Sequence, residues 1–227
     1  MNNIVQSLRT LHERITKAAS AAGRDPSGVR LLAVSKRHPV DAIRQALTCG
    51  QSSFGENYLQ EALEKIAQLR GLDPEWHYIG ALQSNKTAPV AESFDWVHTI
   101  DREKIARRLS AQRPAALAPM NVCIQVNISG EASKSGILPE ALPVLAHTVS
   151  MLPGLRLRGL MTLPAPTTDP ILQRQAFAGL RHLLERLRDD GLDLDTLSMG
   201  TSSDLEAAVM EGATILRIGT ALFGPRP

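Results

Sequence analysis

Lys36 follows the apolar run Leu31-Leu32-Ala33-Val34 with only Ser35 between, which puts a primary amine just beyond the end of a buried strand. Desolvation there disfavours the ammonium form, and a neutral amine is a nucleophile that can condense with an aldehyde. A lysine whose stem lies on apolar surface and whose head reaches water fits the same run, so this position alone leaves both readings open. Two later segments bear on the choice. Ser198-Met199-Gly200-Thr201-Ser202-Ser203-Asp204 leads into the helical stretch LEAAVMEG and offers hydroxyls, a glycine and unpaired helix N–H groups to an anion. Ile218-Gly219-Thr220-Ala221 is a second small-residue turn through which backbone amides can approach the same anion. Taken singly, Ser203-x-x-Glu206 is also a capping box and Gly219 an ordinary turn residue; together the two segments favour a phosphate site. Arg217 interrupts the apolar strand Thr214-Ile215-Leu216-Arg217-Ile218, where an unpaired guanidinium is costly. Its acceptor is either an acidic side chain or the ring nitrogen of a bound cofactor, which such a contact would hold unprotonated.

Positioning these groups is the task of the elements around them. Ile4 to about Ala22 carries apolar residues at helical spacing and stops at Gly23, which predicts an amphipathic helix with no strand before it. Strand-like runs then alternate with helical ones. Strands are expected at Val29–Val34, Ser52–Phe54, Trp76–Ile79, Asp95–Ile100, Val122–Asn127, Leu157–Leu163, Thr196–Met199 and Thr214–Ile218. Helices are expected between them, the longest from about Asp169 to Arg188. Parallel strands need crossover helices, so eight strands in this alternation predict a (β/α)₈ barrel of the TIM type over residues 1–227 as one domain, with the first helix packed outside as an extra. An open doubly wound sheet is the alternative. In a barrel, functional groups gather at the C-terminal ends of the strands, and phosphate sites are often built after strands seven and eight. Lys36, Ser198–Asp204 and Ile218–Ala221 all fall there.

Composition narrows the function class. With 227 residues, 43% hydrophobic and 21% charged, the chain supports one full-sized core. The 25 basic and 23 acidic residues nearly cancel, and aromatic stacking platforms are few, which argues against nucleic acid. Cys49 and Cys123 form no CxxC pair and read as reduced thiols of a cytoplasmic protein, each a small buried hydrophobe. The N-terminal stretch has charges throughout and no apolar core of a signal peptide, and no run approaches the roughly 18 apolar residues of a membrane span. His77 reads as a packed strand residue, and no histidine pair has metal-ligand spacing. GxSxG, GxxxxGK[ST] and GxGxxG are all missing, against an α/β-hydrolase, a P-loop NTPase and a Rossmann dehydrogenase.

The order of motifs closely resembles the pyridoxal phosphate homeostasis proteins, relatives of the barrel domain of alanine racemase. The likeness runs through LLAVSK at Leu31–Lys36, FGENY at Phe54–Tyr58, WHYIGALQSNK at Trp76–Lys86, QVNIS with EASKSG at Gln125–Gly136, RGLMTL at Arg158–Leu163, SMGTSSD at Ser198–Asp204 and LRIGTALFG at Leu216–Gly224. It implies that pyridoxal 5′-phosphate is held as a Schiff base on Lys36, with Arg217 facing the pyridine nitrogen. It further implies that Ser198, Thr201, Ser202, Gly219 and Thr220 surround the phosphate and that Asn57 and Met161 line the cofactor. Tyr78 and Thr201 depart from the commoner residues of the family at their positions. A racemase of this fold needs a second acid–base group on the far side of the cofactor, usually a tyrosine. The chain has only Tyr58 and Tyr78 and ends shortly after the eighth strand. The expectation is therefore a monomeric carrier that buffers pyridoxal phosphate and delivers it to apo-enzymes without appreciable turnover, with a small pyridoxal phosphate-dependent amino-acid racemase as the alternative.

Overall fold

The computed structural model describes residues 4–131 and 134–225, so Ala132 and Ser133 of the GEASKSG loop lie outside the described residues. The chain begins with helix α1 (Ile4–Ala21), whose Ile4, Leu8, Leu11, Ile15 and Ala18 form one buried stripe. Eight βα units follow. They are β1 (Arg30–Val34) with α2 (Val40–Thr48), β2 (Ser53–Glu56) with α3 (Leu59–Gln68), β3 (Glu75–Tyr78) with α4 (Thr87–Ser93), and β4 (Trp96–Ile100) with α5 (Glu103–Gln112). The second half continues with β5 (Met120–Gln125) and α6 (Leu142–Ser150), β6 (Leu155–Met161) and α7 (Pro170–Asp189), β7 (Thr196–Ser198) and α8 (Leu205–Met210), and β8 (Ile215–Ile218) and α9 (Thr220–Phe223). The strands pair in sequence order, all parallel, and β8 returns to β1 to close the barrel. This is the expected (β/α)₈ architecture with its extra helix. The segment after β8, expected as a turn, is instead a short helix.

Alternation along each strand sorts the side chains between two cores. Leu31, Ala33, Leu216 and Ile218 face outward into the layer shared with the helices. Leu32, Trp96, Cys123, Met161 and Ile215 form a separate cluster inside the barrel. The register sets Leu32 beside Arg217 and Gly55 beside His77, so polar groups of β3 and β8 lie within the same interior. Helix α1 packs on α8 and α9, the two helices that follow the last strands. Cys123 is buried as expected, its thiol pushed up to about 12 by burial. Cys49 is exposed, because it ends α2 where the chain turns away through Gly50 in the left-handed region. No described helix is long and apolar enough to cross a membrane.

Gly80 marks where the β3 loop crosses Asn57: a side chain there would place its first carbon 2.2 Å from the Asn57 carbonyl oxygen. Gly80→Ala should therefore destabilise the fold by about 3 kcal/mol in urea unfolding, since backbone must move to admit the methyl. A change under about 0.5 kcal/mol would show that the two loops do not meet so closely.

Candidate functional site

Lys36 sits in the turn after β1, and the residues on both sides of it are pinned. The Ser35 amide donates to the Gly55 carbonyl at 3.0 Å, and its hydroxyl donates to Glu56 Oε1 at 2.7 Å. Arg37 takes a positive φ of 62° and its amide donates to Glu61 Oε1 at 2.5 Å. One buried ammonium gathers these partners. Lys65 Nζ donates to the Ser35 carbonyl at 2.8 Å, to Glu56 Oε1 at 2.7 Å and to Glu61 Oε1 at 2.6 Å. Burial pushes the Glu56 carboxyl above the ordinary carboxylate range, against the opposing charge of Lys65. Sequence reasoning missed this cluster. Its signal was Lys65 itself, which occupies a core position of α3 in line with Ala62 and Leu69.

Two loops close the opposite wall. After β7, Gly200 takes a φ of 92° and has no room for a side chain, which would come within 2.5 Å of Ala208. Thr201 donates both its amide, at 2.5 Å, and its hydroxyl, at 2.8 Å, to Asp204 Oδ1. Ser202 Oγ accepts the Ala221 amide at 3.3 Å, and the Arg217 amide donates to the Gly200 carbonyl at 3.0 Å, so the loops after β7 and β8 are stitched together. Ser203 caps nothing. Asp204 is the N-cap of α8, and Glu206 is held by Arg14 of α1 through hydrogen bonds of 2.7 and 2.9 Å. Arg14 also donates to the Ser202 carbonyl at 3.4 Å, so the extra helix braces this loop from outside.

Between the two walls lies a cleft of about 550 Å³ at the C-terminal end of the barrel. Lys36, Asn57, Met161, Thr201, Ser202, Arg217, Gly219 and Thr220 all line it. Asn57 brings a buried side-chain oxygen that has no hydrogen-bond partner. Ser198 is set behind this wall: it is fully buried, and its hydroxyl accepts Arg217 Nη1 at 2.8 Å. Arg217 Nη2 donates to the Thr162 carbonyl at 2.8 Å. Its acceptors are thus a hydroxyl and a carbonyl rather than a carboxylate, and burial brings the guanidinium down to about 10, still cationic at neutral pH. A second depression of about 480 Å³ opens near the start of β3, where Asp95 accepts the Trp76 amide and Arg113 donates to the carbonyls of Ala91 and Phe94. Among the described residues no His, Cys, Asp or Glu cluster has the makings of a metal site.

Behind Arg217 runs a file of buried polar side chains. Ser198 Oγ lies 2.8 Å from His98 Nδ1, His98 Nε2 lies 2.8 Å from His77 Nδ1, and His77 Nε2 lies 2.9 Å from Glu75 Oε2. Both imidazoles are completely buried, which lowers their pKa values, that of His98 well below the usual range. Glu75 also accepts from Trp96 Nε1, Ser53 Oγ and Arg30 Nη1 at 2.9 to 3.0 Å. Burial acts to raise the Glu75 pKa, but the His77 and Ser53 hydrogen bonds and the Arg30 charge outweigh it and hold the carboxyl at about 2. His77 is packed, as expected, but packed as a link. The alternation of Glu75, His77 and His98 onto the barrel interior was the available signal.

The barrel and its C-terminal cleft define a protein of the alanine racemase N-terminal domain class, and the model of that family matches residues 6–227. Pyridoxal phosphate homeostasis proteins of Pseudomonas aeruginosa and Escherichia coli K12 are 61% and 50% identical, each aligned over all of this chain and over 97% and 98% of their own lengths. The structure of PipY from Synechococcus elongatus with PLP bound is 37% identical, covers 98% of this chain and all of its own, and superposes with a TM-score of 0.83. The chain therefore belongs to the pyridoxal phosphate homeostasis family, within the alanine racemase N-terminal domain class.

Lys65→Met should cost about 3–5 kcal/mol at neutral pH, because Glu56 is left buried without its cation. In that variant the folded-state pKa of Glu56 stands above its unfolded value, so the penalty is full above the folded pKa and disappears as pH falls through it to the unfolded value. The difference in urea stability between wild type and variant should accordingly shrink as pH falls through the raised folded-state pKa of Glu56. A difference independent of pH would remove Glu56 from the account.

Proposed function

We propose that the protein binds pyridoxal 5′-phosphate reversibly through Lys36, and that it buffers and hands on this cofactor rather than using it in turnover. The observation that carries this reading is the convergence of Lys36, Arg217, Asn57 and the two small-residue loops on one cleft, in a chain of this family. The donors suit the ligand. A cleft of about 550 Å³ lies within the range of small-molecule sites. Ser202 keeps its hydroxyl hydrogen, and the amides of Gly219 and Thr220 open the last helix beside it, which together suit a phosphate. Thr201 contributes shape rather than donors, because its amide and hydroxyl are spent on Asp204. Asn57 offers an acceptor that lacks a protein partner.

Lys36 supplies the covalent hold. Its primary amine would be the group that holds the cofactor's aldehyde carbon, with water as the leaving group on binding and as the reactant on release. When bound, the cofactor supplies an electron-withdrawing ring, whose strength depends on whether its nitrogen carries a proton. Arg217 stands cationic, with two of its five N–H groups used on Ser198 and Thr162. A remaining donor opposite the ring nitrogen would keep that nitrogen unprotonated and weaken the electron sink. Neither tyrosine lines the cleft: Tyr78 is buried with its hydroxyl on the Ala81 carbonyl, and Tyr58 carries the Arg37 guanidinium 5.6 Å above its ring. Both features favour a carrier that gives its cargo to apo-enzymes over a racemase.

Wild-type protein should take up one equivalent of pyridoxal phosphate with a visible absorption band that borohydride abolishes, fixing the cofactor to Lys36. Lys36→Ala should show no such fixation, and a band that survives fully in it would refute the assignment. Incubation of the loaded protein with L-alanine should leave its configuration unchanged by chiral chromatography; steady racemisation would mean an enzyme.

A further inference from the structure

The file from Arg217 to Glu75 crosses the barrel interior, and its hydrogens can be placed by elimination. Glu75 is a carboxylate that accepts from four donors, so the His77 nitrogen facing it must carry a hydrogen. Burial keeps His77 neutral, which leaves its Nδ1 as an acceptor. The hydrogen between the imidazoles therefore belongs to His98 Nε2, and His98 Nδ1 is an acceptor in turn. Only the Ser198 hydroxyl can donate to it. Ser198 Oγ is then left with lone pairs alone for Arg217. Every hydrogen in the file points the same way, from the guanidinium toward the carboxylate.

We propose that Glu75, His77, His98 and Ser198 form a one-directional hydrogen-bond relay that holds the Arg217 guanidinium in the wall of the cleft, so that His77 and His98 are positioning residues for whatever ligand the cleft holds. This rests on the preceding reading only for the identity of the ligand. The reverse direction is disfavoured at both ends. It would turn the bare His77 Nε2 toward the Glu75 carboxylate, two acceptors 2.9 Å apart. It would also aim both His98 Nδ1–H and Arg217 Nη1–H at one serine oxygen, with the serine hydrogen displaced. Burial opposes protonation of both imidazoles: at His98 the Arg217 and Arg30 charges act with it, and at His77 it prevails, with Arg30, over the Glu75 hydrogen bond and the Glu75 and Asp95 charges. The stack of His77 on Trp96, centroids 5.3 Å apart and planes 7° from parallel, fixes the ring plane that the relay requires.

Two measurements test the relay. Nitrogen-15 spectra of the full-length wild-type protein labelled at histidine should show His77 and His98 neutral, with the hydrogen on Nε2 in both, from pH about 6 to about 8. An Nδ1–H tautomer or a cation at either ring would overturn the proposal, whether or not the protein binds pyridoxal phosphate. Titration with pyridoxal phosphate should show Ser198→Ala and His98→Phe each weakening binding roughly tenfold, and the double variant no weaker than about the single ones, because the relay is one path. Additive losses, roughly a hundredfold in the double variant, would make the two residues independent packing elements and sink the relay. Failure of the wild-type protein to bind pyridoxal phosphate would refute the proposed function, and the tautomers would still decide the relay.

Discussion

The interior of a closed barrel of parallel strands is filled by side chains, so a polar side chain pointing inward finds its partners chiefly among the residues of the other strands. Arg217 sets this constraint at its most severe, since a guanidinium brought inside costs far more than it returns unless it is hydrogen-bonded. The interior answers with acceptors from three directions: the Thr162 carbonyl just past β6, Ser198 on β7, and behind Ser198 the two histidines of β3 and β4. The chain of partners ends on Glu75, a carboxylate that reaches the opposite end of the barrel and meets Arg30. Cation and anion thus sit at the two ends of a file whose middle is neutral. This spreads the cost of one buried charge across half the strands and makes their register matter.

A second buried charge works at the other side of the cleft by the opposite arrangement. Lys65 is surrounded directly, by two carboxylates and a carbonyl, and these same groups hold Ser35 and Arg37 on either side of Lys36. The turn that presents Lys36 is therefore set by α3, an element that contributes nothing to the cleft itself. Arg14 does the same for the loop after β7, reaching from α1 to Glu206 and the Ser202 carbonyl. Lys65 and Arg14 thus fix the cleft from behind, while Arg217 stands in its wall. The two loops that close it after β7 and β8 present small residues, Thr201, Ser202, Gly219 and Thr220, which leaves space for a ligand.

This division explains what could be read from the sequence. The eight strands were legible because each is a short apolar or β-branched run followed by a helical period, and barrel closure follows from their number. The lining residues were legible because function gathers in the loops after parallel strands, and because motifs such as WHYIGALQSNK and SMGTSSD are specific. The supports were not. Lys65 and Glu61 are four apart on a helix and look like a solvent-exposed pair, yet Lys65 is buried because the β1 turn lies over it. Ser198 sits in a serine-rich stretch that reads as a phosphate loop, but it is the last residue of β7, and strand alternation turns it into the barrel interior rather than toward the cleft. Ser203 and Glu206 have capping-box spacing, but α1 supplies Arg14, and a charged partner wins over the cap. In each case the deciding partner is more than 20 residues away in sequence or on a different layer, where periodicity carries no information.

The direction of the relay bears on why such a site would hold a cofactor without transforming it. The Ser198 hydroxyl oxygen and the Thr162 carbonyl that accept from Arg217 are both very weak bases, so the guanidinium remains a cation despite burial. On the reading that the cleft holds pyridoxal phosphate, a permanent donor then stands opposite the ring nitrogen and competes with the proton that would make the ring a strong electron sink. A racemase needs that sink, or a compensating acid and base held on both faces of the substrate. Here the amine of Lys36 lines one wall, and neither tyrosine lines the cleft. On that reading the residue facing the ring would also lower its reactivity, so retention and inertness would both follow from one buried guanidinium and the four side chains filed behind it.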